Sequence, residues 1–197
     1  MCRLIETIKI FDKKLFNIEY HNRRMNNSRK ILFGCDDEIN LLDKIIIPSY
    51  LSNELYKCRV IYSKEIESIE FIPYKKKEIY KVKVVENNDI EYEHKYEDRT
   101  ALTKMLIDSN ADEIIIIKNR LITDGSFSNI VLSDGNSYLT PATPLLKGTK
   151  RAKLLDEGII KEDELKEKDL KKFKYIFFIN AMLDLEDNNK ILLDKII

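Results

Sequence analysis

The alternation of apolar and polar residues predicts a β-strand at the start of the chain and a helix after it. Leu4 to Phe11 alternate in character, and Asp12-Lys13-Lys14 then predicts a turn into a short return strand. From Glu19 onward the spacing becomes helical, and Gly34 is the expected C-terminal stop. The residues that share one helical face are Tyr20, Arg24, Ser28 and Leu32.

Further segments complete the first part of the chain, residues 1–86. A weaker helical pattern covers Glu38 to Ile45. Leu55 to Ser63 and Ile66 to Tyr74 predict a β-hairpin, and Tyr80 to Val85 predicts a third strand. This first part is therefore typical of a small α+β unit.

A polar and acidic stretch at residues 87–93 predicts a connector, and residues 94–197 follow as a larger unit. Strands and helices do not alternate regularly, so we expect two α+β lobes rather than a doubly wound sheet. The elements predicted after the connector are helices at Asp98 to Asp108, Thr149 to Glu157 and Glu162 to Lys172, and strands at Glu113 to Lys118, Leu121 to Thr123, Ser128 to Ser133, Ser137 to Thr140, Tyr175 to Ile179 and, after a turn at Asp187-Asn188-Asn189, Lys190 to Leu193.

Composition excludes several classes of protein. The 197 residues are 44% hydrophobic with only 4 prolines and 5 glycines, which argues against disorder and collagen-like repeats. Apolar runs such as Ile114 to Ile117 are too short to span a membrane, and the N-terminus lacks the apolar core of a signal peptide. The three cysteines have no spacing that suggests a disulfide framework or a zinc site. We therefore expect a soluble, cytoplasmic protein without a membrane partner.

Charge and known motifs exclude further functions. The 34 basic and 34 acidic residues balance, so runs such as Lys75-Lys76-Lys77 indicate solvated faces rather than a nucleic-acid interface. The two histidines, His21 and His94, lack the spacing of a metal site. The GxSxG, GxGxxG and GxxxxGK motifs are absent, which argues against hydrolase triads and nucleotide-binding loops.

Four motifs nevertheless follow one another in a defined order. They are His21-Asn22-Arg23-Arg24-Met25; His94-Lys95-Tyr96-Glu97-Asp98-Arg99; Asn110 to Ile114 with Ile122 to Ile130; and Leu139-Thr140-Pro141 with Leu145 to Arg151, and Asn180-Ala181 follows them. In order and spacing, from Ile5 to Leu185, these segments resemble the class IV aminotransferase family, the pyridoxal 5'-phosphate enzymes of fold type IV. The resemblance implies that fold, that cofactor and a homodimer.

The resemblance also implies roles for charged side chains. Lys95 corresponds to the lysine that binds the cofactor aldehyde and then moves protons as a base. Asp124 corresponds to the acid that pairs with the pyridine nitrogen, although the family usually has glutamate there. Arg24 corresponds to the phosphate-binding arginine on the first helix, and His21 to a structural partner in that helix. Without the surrounding motifs, Lys95 would be read as a solvated lysine and Asp124 as a turn residue.

A phosphate site is implied at the start of a helix. Gly148 and Thr149 stand where free N–H groups of a helix start bind anions. The family has threonine where this chain has Lys150, so either Thr149 or Lys150 supplies the side-chain contact. Asn180 and Ala181 resemble the family's last phosphate-binding turn.

Two departures from the family affect regions that select the substrate. The chain starts almost at the strand Ile5-Glu6-Thr7-Ile8-Lys9, so we expect a truncated N-terminal hairpin. The strand at Lys57 to Ser63 runs directly into Lys64, without the family's substrate loop.

Three functions fit the resemblance. The first is a 4-amino-4-deoxychorismate lyase, which releases pyruvate and 4-aminobenzoate for folate synthesis. The form Lys-x-x-(Asn/Asp)-Arg at Lys95 to Arg99, with Asn180-Ala181, resembles that branch. The second is a transaminase of a D-amino acid or a branched-chain amino acid. The third is a non-catalytic cofactor-binding protein, and the presence of both Lys95 and Asp124 argues against it.

Overall fold

The computed structural model describes residues 2–187 and 190–195 and divides into two compact units. Unit 1 comprises Met1–Lys76 and His94–Asp98, and unit 2 comprises Lys77–Glu93 and Arg99–Ile197. Each unit contains β-sheet, helix and an apolar core of its own, which confirms the predicted α+β class. The domain bounds drawn from the sequence, 1–86 and 94–197 around a connector, stay a prediction.

Unit 1 is built on an antiparallel sheet and one long helix. Its elements are β1 (Leu4–Phe11), β2 (Lys14–Leu15), α1 (Ile18–Phe33), α2 (Leu41–Lys44), β3 (Tyr56–Tyr62) and β4 (Ile66–Pro73), with the strand order β2-β1-β3-β4. The first strand, the long helix and the hairpin lie where the sequence predicts them. The alternating pattern of β1 and the helical pattern of α1 each place apolar side chains on one face of the element. Both faces pack into the same core.

Local backbone chemistry sets the ends of these elements. Asp12 and Lys13 have φ values of 51° and 55°, and a two-residue turn with two positive φ angles suits the twist of β1 and β2. Helix α1 ends at Gly34, whose φ is 68° and whose N–H bonds to carbonyl oxygens of the last turn. The helix predicted at Glu38 to Ile45 is reduced to the four residues of α2, because Asn40 caps it with an extended backbone.

One face of β1 carries an acid into the apolar core of unit 1. Leu4, Ile8 and Ile10 are at most 1% exposed and pack with Met25 of α1. Glu6 shares their parity along the strand and is also fully buried. A buried carboxylate requires charged or hydrogen-bonding partners, so this strand position demands a polar cluster within the core.

Unit 2 contains two sheets within the part of the chain that the structure describes. Its elements are β5 (Val82–Glu86), α3 (Thr100–Ser109), β6 (Glu113–Lys118), β7 (Leu121–Ile122), β8 (Asn129–Ser133), β9 (Tyr138–Pro141), α4 (Thr149–Asp156), β10 (Lys161–Asp163), a 3-10 helix (Glu167–Lys172), β11 (Tyr175–Ile179), β12 (Ile191–Leu192) and a second 3-10 helix (Leu193–Lys195). The strand orders are β5-β6-β7 and β10-β9-β8-β11-β12.

Two features of unit 2 differ from the sequence-based expectation. β5, which the pattern grouped with the first hairpin, pairs in parallel with β6, and α3 forms the crossover. The helix predicted at Glu162 to Lys172 is wrong over its first residues, where β10 pairs in parallel with β9. Charged residues favour a helix only weakly, and strand pairing outweighs that preference here. Asn188 and Asn189 of the predicted turn before β12 lie outside the described residues.

The loop between β7 and β8 is fixed by backbone hydrogen bonds at both ends. Ile116 of β6 donates to the Asp124 carbonyl oxygen at 2.8 Å, and Thr123 donates back to the Ile116 carbonyl oxygen at 2.9 Å. Gly125 donates to the Ser128 carbonyl oxygen at 2.8 Å. The side chains of this loop therefore start from a defined backbone. Over the described residues, no helix has the length and apolar character needed to cross a membrane.

Candidate active site

Glu6 is the centre of a buried charged cluster in unit 1. Arg24 donates from Nε to Oε1 at 2.8 Å and from Nη2 to Oε2 at 2.5 Å, a two-point contact with one carboxylate. His21 Nδ1 lies 2.6 Å from Oε2. Burial acts to raise the pKa of Glu6, but the Arg24 charge and the hydrogen bonds from both partners outweigh it and lower the pKa to about 2. Glu6 is therefore a fixed negative charge at neutral pH.

His21 is held neutral next to this carboxylate. Burial lowers the pKa of His21, and the positive charges of Arg24 and Lys95 act in the same direction, against the attraction of Glu6. Because a carboxylate only accepts hydrogen bonds, the proton of the neutral ring lies on Nδ1. His21 thus stabilises Glu6 from inside the core, in line with the structural role expected for it.

The segment that carries Lys95 is fixed to β1 and α1 of the same unit. The Lys95 carbonyl oxygen accepts from the N–H of Ile5 at 2.9 Å, and Glu97 donates its N–H to the carbonyl oxygen of Arg3 at 2.9 Å. His94 Nδ1 lies 3.0 Å from the hydroxyl of Ser28. The Lys95 side chain is half-buried, and its charge acts on His21. The structure therefore brings Lys95 into the electrostatic range of the Glu6 cluster.

Asp124 is a second buried carboxyl group, in unit 2. Only 5% of the residue is exposed. Its Oδ1 accepts from Asn129 Nδ2 at 2.6 Å, and its Oδ2 accepts from the N–H of Leu146 at 2.9 Å. Burial raises the pKa of Asp124 to about 7, although these donors and the charge of Arg151 oppose the change. A carboxyl group with this pKa holds or releases a proton near neutral pH.

The segment that leads into α4 packs against Asn129. Gly148 precedes the helix, and a Cβ atom there would lie 2.0 Å from Asn129 Oδ1, so glycine is required for this close approach. Thr149 and Lys150 open the helix and are 4% and 7% exposed. The Lys150 ammonium forms an ion pair with Asp184. An acidic partner thus already neutralises one of the two side chains that the sequence offered for a phosphate contact.

Asn180 and Ala181 form a tight turn after β11. The Asn180 Oδ1 accepts from the N–H groups of Met182 and Leu183 at 2.8 and 3.1 Å. Its Nδ2 donates to the Phe127 carbonyl oxygen at 3.3 Å. The Asn180 side chain therefore stabilises the turn and joins it to the loop that holds Asp124.

Three polar residues of these clusters had no role in the sequence-based interpretation: Glu6, Glu113 and Asn129. Glu6 was detectable, because it shares the parity of the apolar residues of β1. Glu113 opens the apolar strand β6, and its Oε1 accepts from the N–H groups of Ile114 and Ser126 at 2.9 and 2.7 Å. Burial raises the pKa of Glu113. The sequence signal for Glu113 is its position directly before a run of isoleucines.

A comparison with known proteins identifies the family. The profile of the family described as amino-transferase class IV matches residues 3–185. The chain belongs to the class IV aminotransferase family. This family uses pyridoxal phosphate, which confirms the predicted cofactor.

Individual relatives agree with the family and with its fold. An uncharacterised protein of Haemophilus influenzae is 38% identical over 185 residues, which make up 92% of this chain and 98% of that protein. A crystal structure from Haemophilus somnus 129pt, named "putative 4-amino-4-deoxychorismate lyase", is 32% identical, covers 94% of this chain and 98% of its own, and has a TM-score of 0.84. The branched-chain amino acid aminotransferase of Escherichia coli is 17% identical, with 92% and 73% coverage and a TM-score of 0.68. The predicted fold type is thus confirmed.

The side chains of this class IV member fit the chemistry of pyridoxal phosphate. Within unit 1, Lys95 has an amine that could bind an aldehyde and Arg24 has a guanidinium that could bind a phosphate. Within unit 2, Asp124 has a buried carboxyl group, and Gly148 precedes a helix start of the kind that binds anions. The Ser128 hydroxyl is buried and has no hydrogen-bond partner within the described residues, which leaves a donor for a bound group. Among those same residues, no cluster of three or more histidine, cysteine or acidic side chains could hold a metal ion.

Proposed function

We propose that this protein is a pyridoxal-phosphate-dependent lyase that acts on 4-amino-4-deoxychorismate and releases pyruvate and 4-aminobenzoate. The observation that carries the proposal is the 32% identity, over 94% of this chain, to the H. somnus protein of that name. The Lys-x-x-Asp-Arg form at Lys95 to Arg99 supports it from the sequence. Folate synthesis would be the pathway that consumes 4-aminobenzoate.

We further propose which residues bind the cofactor. Lys95 would hold it through a covalent bond to the aldehyde carbon, and Arg24 would bind the phosphate dianion with a guanidinium that Glu6 orients. In unit 2, the N–H groups at Gly148 and Thr149 would bind a phosphate at the helix start. Bound pyridoxal phosphate supplies an electron sink for the reacting carbon of the substrate.

The same residues have separate chemical tasks. Asp124 would keep a proton on the ring nitrogen, because a buried carboxylate next to a protonated nitrogen stabilises that charge. The Lys95 amine would take a proton from the substrate and return it. Asn180 and Ala181 would shape the wall next to the Asp124 loop, which the contact of Asn180 with Phe127 supports.

For the side-chain phosphate contact we favour Thr149 over Lys150. The Lys150 ammonium is largely buried and paired with Asp184, so a move toward a phosphate would break this ion pair. Thr149→Ala should therefore weaken pyridoxal phosphate binding about tenfold, the loss expected for one hydrogen bond to a charged group. Lys150→Met should weaken it less. A larger loss of affinity in Lys150→Met would assign the contact to the lysine instead.

The reaction itself separates this proposal from the alternatives. Purified holoprotein is supplied with 4-amino-4-deoxychorismate, and pyruvate release is followed with lactate dehydrogenase. In parallel, D- and L-amino acids are tested with 2-oxoglutarate as the amino-group acceptor. Pyruvate release confirms the lyase, and amino-group transfer alone would replace it with the transaminase, which the family as a whole supports. Failure of both would leave a cofactor-binding protein. Lys95→Ala is the control for both assays.

The attachment point and the assembly state have direct tests. Borohydride reduction of the holoprotein should leave a pyridoxyl label on Lys95 in peptide mapping, and a label on another lysine would overturn that assignment. We also propose a homodimer in the cytoplasm. Ile46, Tyr50 and Tyr80 are each at least 80% exposed, and large exposed apolar side chains support self-association. Light scattering should give twice the mass of 23.3 kDa.

A further inference from the structure

Asn129 makes a closed set of hydrogen bonds with two parts of unit 2. The residue opens β8 and is 6% exposed. Its Nδ2 donates to Asp124 Oδ1 at 2.6 Å and to the Leu146 carbonyl oxygen at 2.7 Å. Leu146 in turn donates its N–H to Asp124 Oδ2 at 2.9 Å. Because both neighbours of Nδ2 are acceptors, only one orientation of the amide satisfies the set.

The other side of the Asn129 amide is in close contact with the start of α4. A Cβ atom at Gly148 would lie 2.0 Å from Asn129 Oδ1 and 3.2 Å from its Cγ. The main chain of residues 146–148 therefore contacts Asn129 twice, once by a hydrogen bond to Leu146 and once by van der Waals contact at Gly148. A displacement of the Asn129 side chain displaces this segment as well.

We propose that Asn129 is a positioning residue that holds the Asp124 carboxylate and the 146–148 segment in one fixed arrangement. The acid and the anion-binding helix start then behave as a single rigid element. The inference rests on the proposed roles of Asp124 and of Gly148 and Thr149 toward the cofactor, but the contacts that carry it lie entirely within unit 2.

The arrangement has a consequence for the acid that exists without cofactor. Burial raises the pKa of Asp124, and the charged group that opposes this change is Arg151 of α4. The other opposing groups are amides, those of Asn129, Leu145 and Leu146. Removing the Asn129 donor should therefore raise the pKa by about one unit, since a hydrogen bond to a charged group contributes on that order.

The first test is a titration of the cofactor-free protein. Carbon-13 carboxyl signals of aspartate are followed with pH, and the Asp124 signal is assigned by its loss in Asp124→Asn. The wild type should titrate near 7, and Asn129→Ser about one unit higher. Thr140→Val is the matched control, because it removes a buried hydroxyl that donates to the Ile130 carbonyl oxygen at 2.8 Å in the same sheet. An unchanged Asp124 titration in Asn129→Ser would overturn the proposal.

A near-isosteric variant covers the case in which Asn129→Ser does not fold. Asn129→Asp keeps the shape that packs on Gly148 but replaces the donor with a second carboxyl group. Two adjacent carboxyl groups cannot both ionise easily, so the pair should titrate in two steps, one of them above the wild-type Asp124 value. Two ordinary, independent titrations would show that residue 129 does not face Asp124.

The second test measures whether the acid and the helix start are coupled. Affinities for pyridoxal phosphate and for pyridoxal, which lacks the phosphate, are compared by absorbance titration. A displaced 146–148 segment should reduce the preference for the phosphorylated form about tenfold in Asn129→Ser and leave it unchanged in Thr140→Val. Equal losses for both compounds would contradict the coupling. If the wild type binds neither compound, the proposed function fails while the carboxyl titration still decides the role of Asn129.

Discussion

Glu6 in unit 1 and Asp124 in unit 2 are both buried carboxyl groups, and their environments shift their pKa values in opposite directions. The pKa of Glu6 is about 2, whereas that of Asp124 is about 7. Glu6 has a guanidinium at 2.5 Å and a histidine at 2.6 Å, whereas the two oxygens of Asp124 accept from an amide side chain and a backbone N–H. Burial alone therefore does not decide the charge. A directly contacting cation does.

The comparison also separates two chemical uses of a buried acid. Glu6 holds its negative charge at any physiological pH, so it can orient Arg24 but cannot exchange protons in a reaction cycle. Asp124 has a pKa in the range where a proton is gained or lost at small energetic cost. A positive charge placed next to Asp124, such as a protonated ring nitrogen, would favour the ionised form, as Arg24 does for Glu6.

The largest expected effect tests the proposed catalytic role of Asp124. Asp124→Asn keeps the size of the side chain but removes the carboxyl group that we propose holds a proton on the ring nitrogen. Cofactor binding through Arg24, Gly148 and Thr149 should persist, and the maximal rate should fall about 1000-fold, equal to about 4 kcal/mol of transition-state stabilisation. The measurements are cofactor affinity and kcat. Asp134→Asn, in an exposed turn of the same unit, is the control. Near-normal turnover would leave Asp124 as a turn residue.

The next effect tests how much the Arg24–Glu6 ion pair contributes to stability. Arg24→Ala leaves the Glu6 charge buried without its main partner and should lower the free energy of unfolding by about 3 kcal/mol. Urea denaturation measures this, and Arg59→Ala is the control, since Arg59 pairs with Glu70 and Glu97 at a partly exposed position and should cost about 1 kcal/mol or less. Cofactor affinity should also fall in Arg24→Ala, and excess pyridoxal phosphate should restore most of the rate.

A double replacement separates the buried charge from the phosphate role. Glu6→Gln combined with Arg24→Met removes both charges and should recover part of the lost stability. It should not recover the lost cofactor affinity. If Arg24→Ala costs no more than Arg59→Ala, Glu6 is not held ionised by Arg24, and the contrast between the two acids fails.

The sequence accounted for the strands and helices better than for these polar clusters. Period-2 and helical spacing give β1 and α1 because one apolar face on each is enough to specify the element. The pairing of Lys150 with Asp184 joins residues 34 positions apart, and no local pattern encodes such a contact. The same applies to β10, whose charged residues carry helical preference and whose partner strand β9 decides the outcome.

The motifs indicated the candidate site residues but not the residues that position them. Lys95, Arg24 and Asp124 follow from the resemblance because their types match a known chemistry. Asn129 lies within a motif that assigned no role to it. Its hydrogen bonds to Asp124 and to the Leu146 carbonyl oxygen depend on how the loop at Leu146 folds back onto β8. Supporting contacts of this kind arise from the tertiary fold and not from local sequence.

A third, intermediate effect is the opposite pH dependence of the two acids. The folded protein keeps the Asp124 proton up to a pH of about 7, whereas the unfolded chain loses it near 3.8, so stability falls as pH rises between these values. The Asp124→Asn variant lacks this loss. Relative to the wild type, it should therefore gain about 2 kcal/mol in unfolding free energy between pH 5 and pH 7, as measured by urea denaturation.

Glu6 should show the reverse sign at lower pH. Its pKa is lowered on folding, so its contribution is complete above about 4.5 and is lost as pH falls toward about 2. Glu6→Gln should consequently lose less stability than the wild type on acidification. Parallel pH profiles for both variants would contradict pKa shifts of opposite direction.

The smallest effect concerns a third buried acid, Glu113. Replacing it separates its role as a hydrogen-bond acceptor from the effect of its negative charge. Its Oε1 accepts from two backbone N–H groups, those of Ile114 and Ser126, and burial raises its pKa as it does for Asp124. A glutamine carbonyl oxygen can accept the same two hydrogen bonds, so Glu113→Gln should change the free energy of unfolding by less than about 1 kcal/mol. Glu113→Ala leaves both N–H groups buried without an acceptor and should cost about 2 to 3 kcal/mol. Thermal and urea unfolding of the two variants measure the difference. A large loss in Glu113→Gln would mean that the negative charge itself is needed there, and Glu113 would then belong with Glu6 rather than with Asp124.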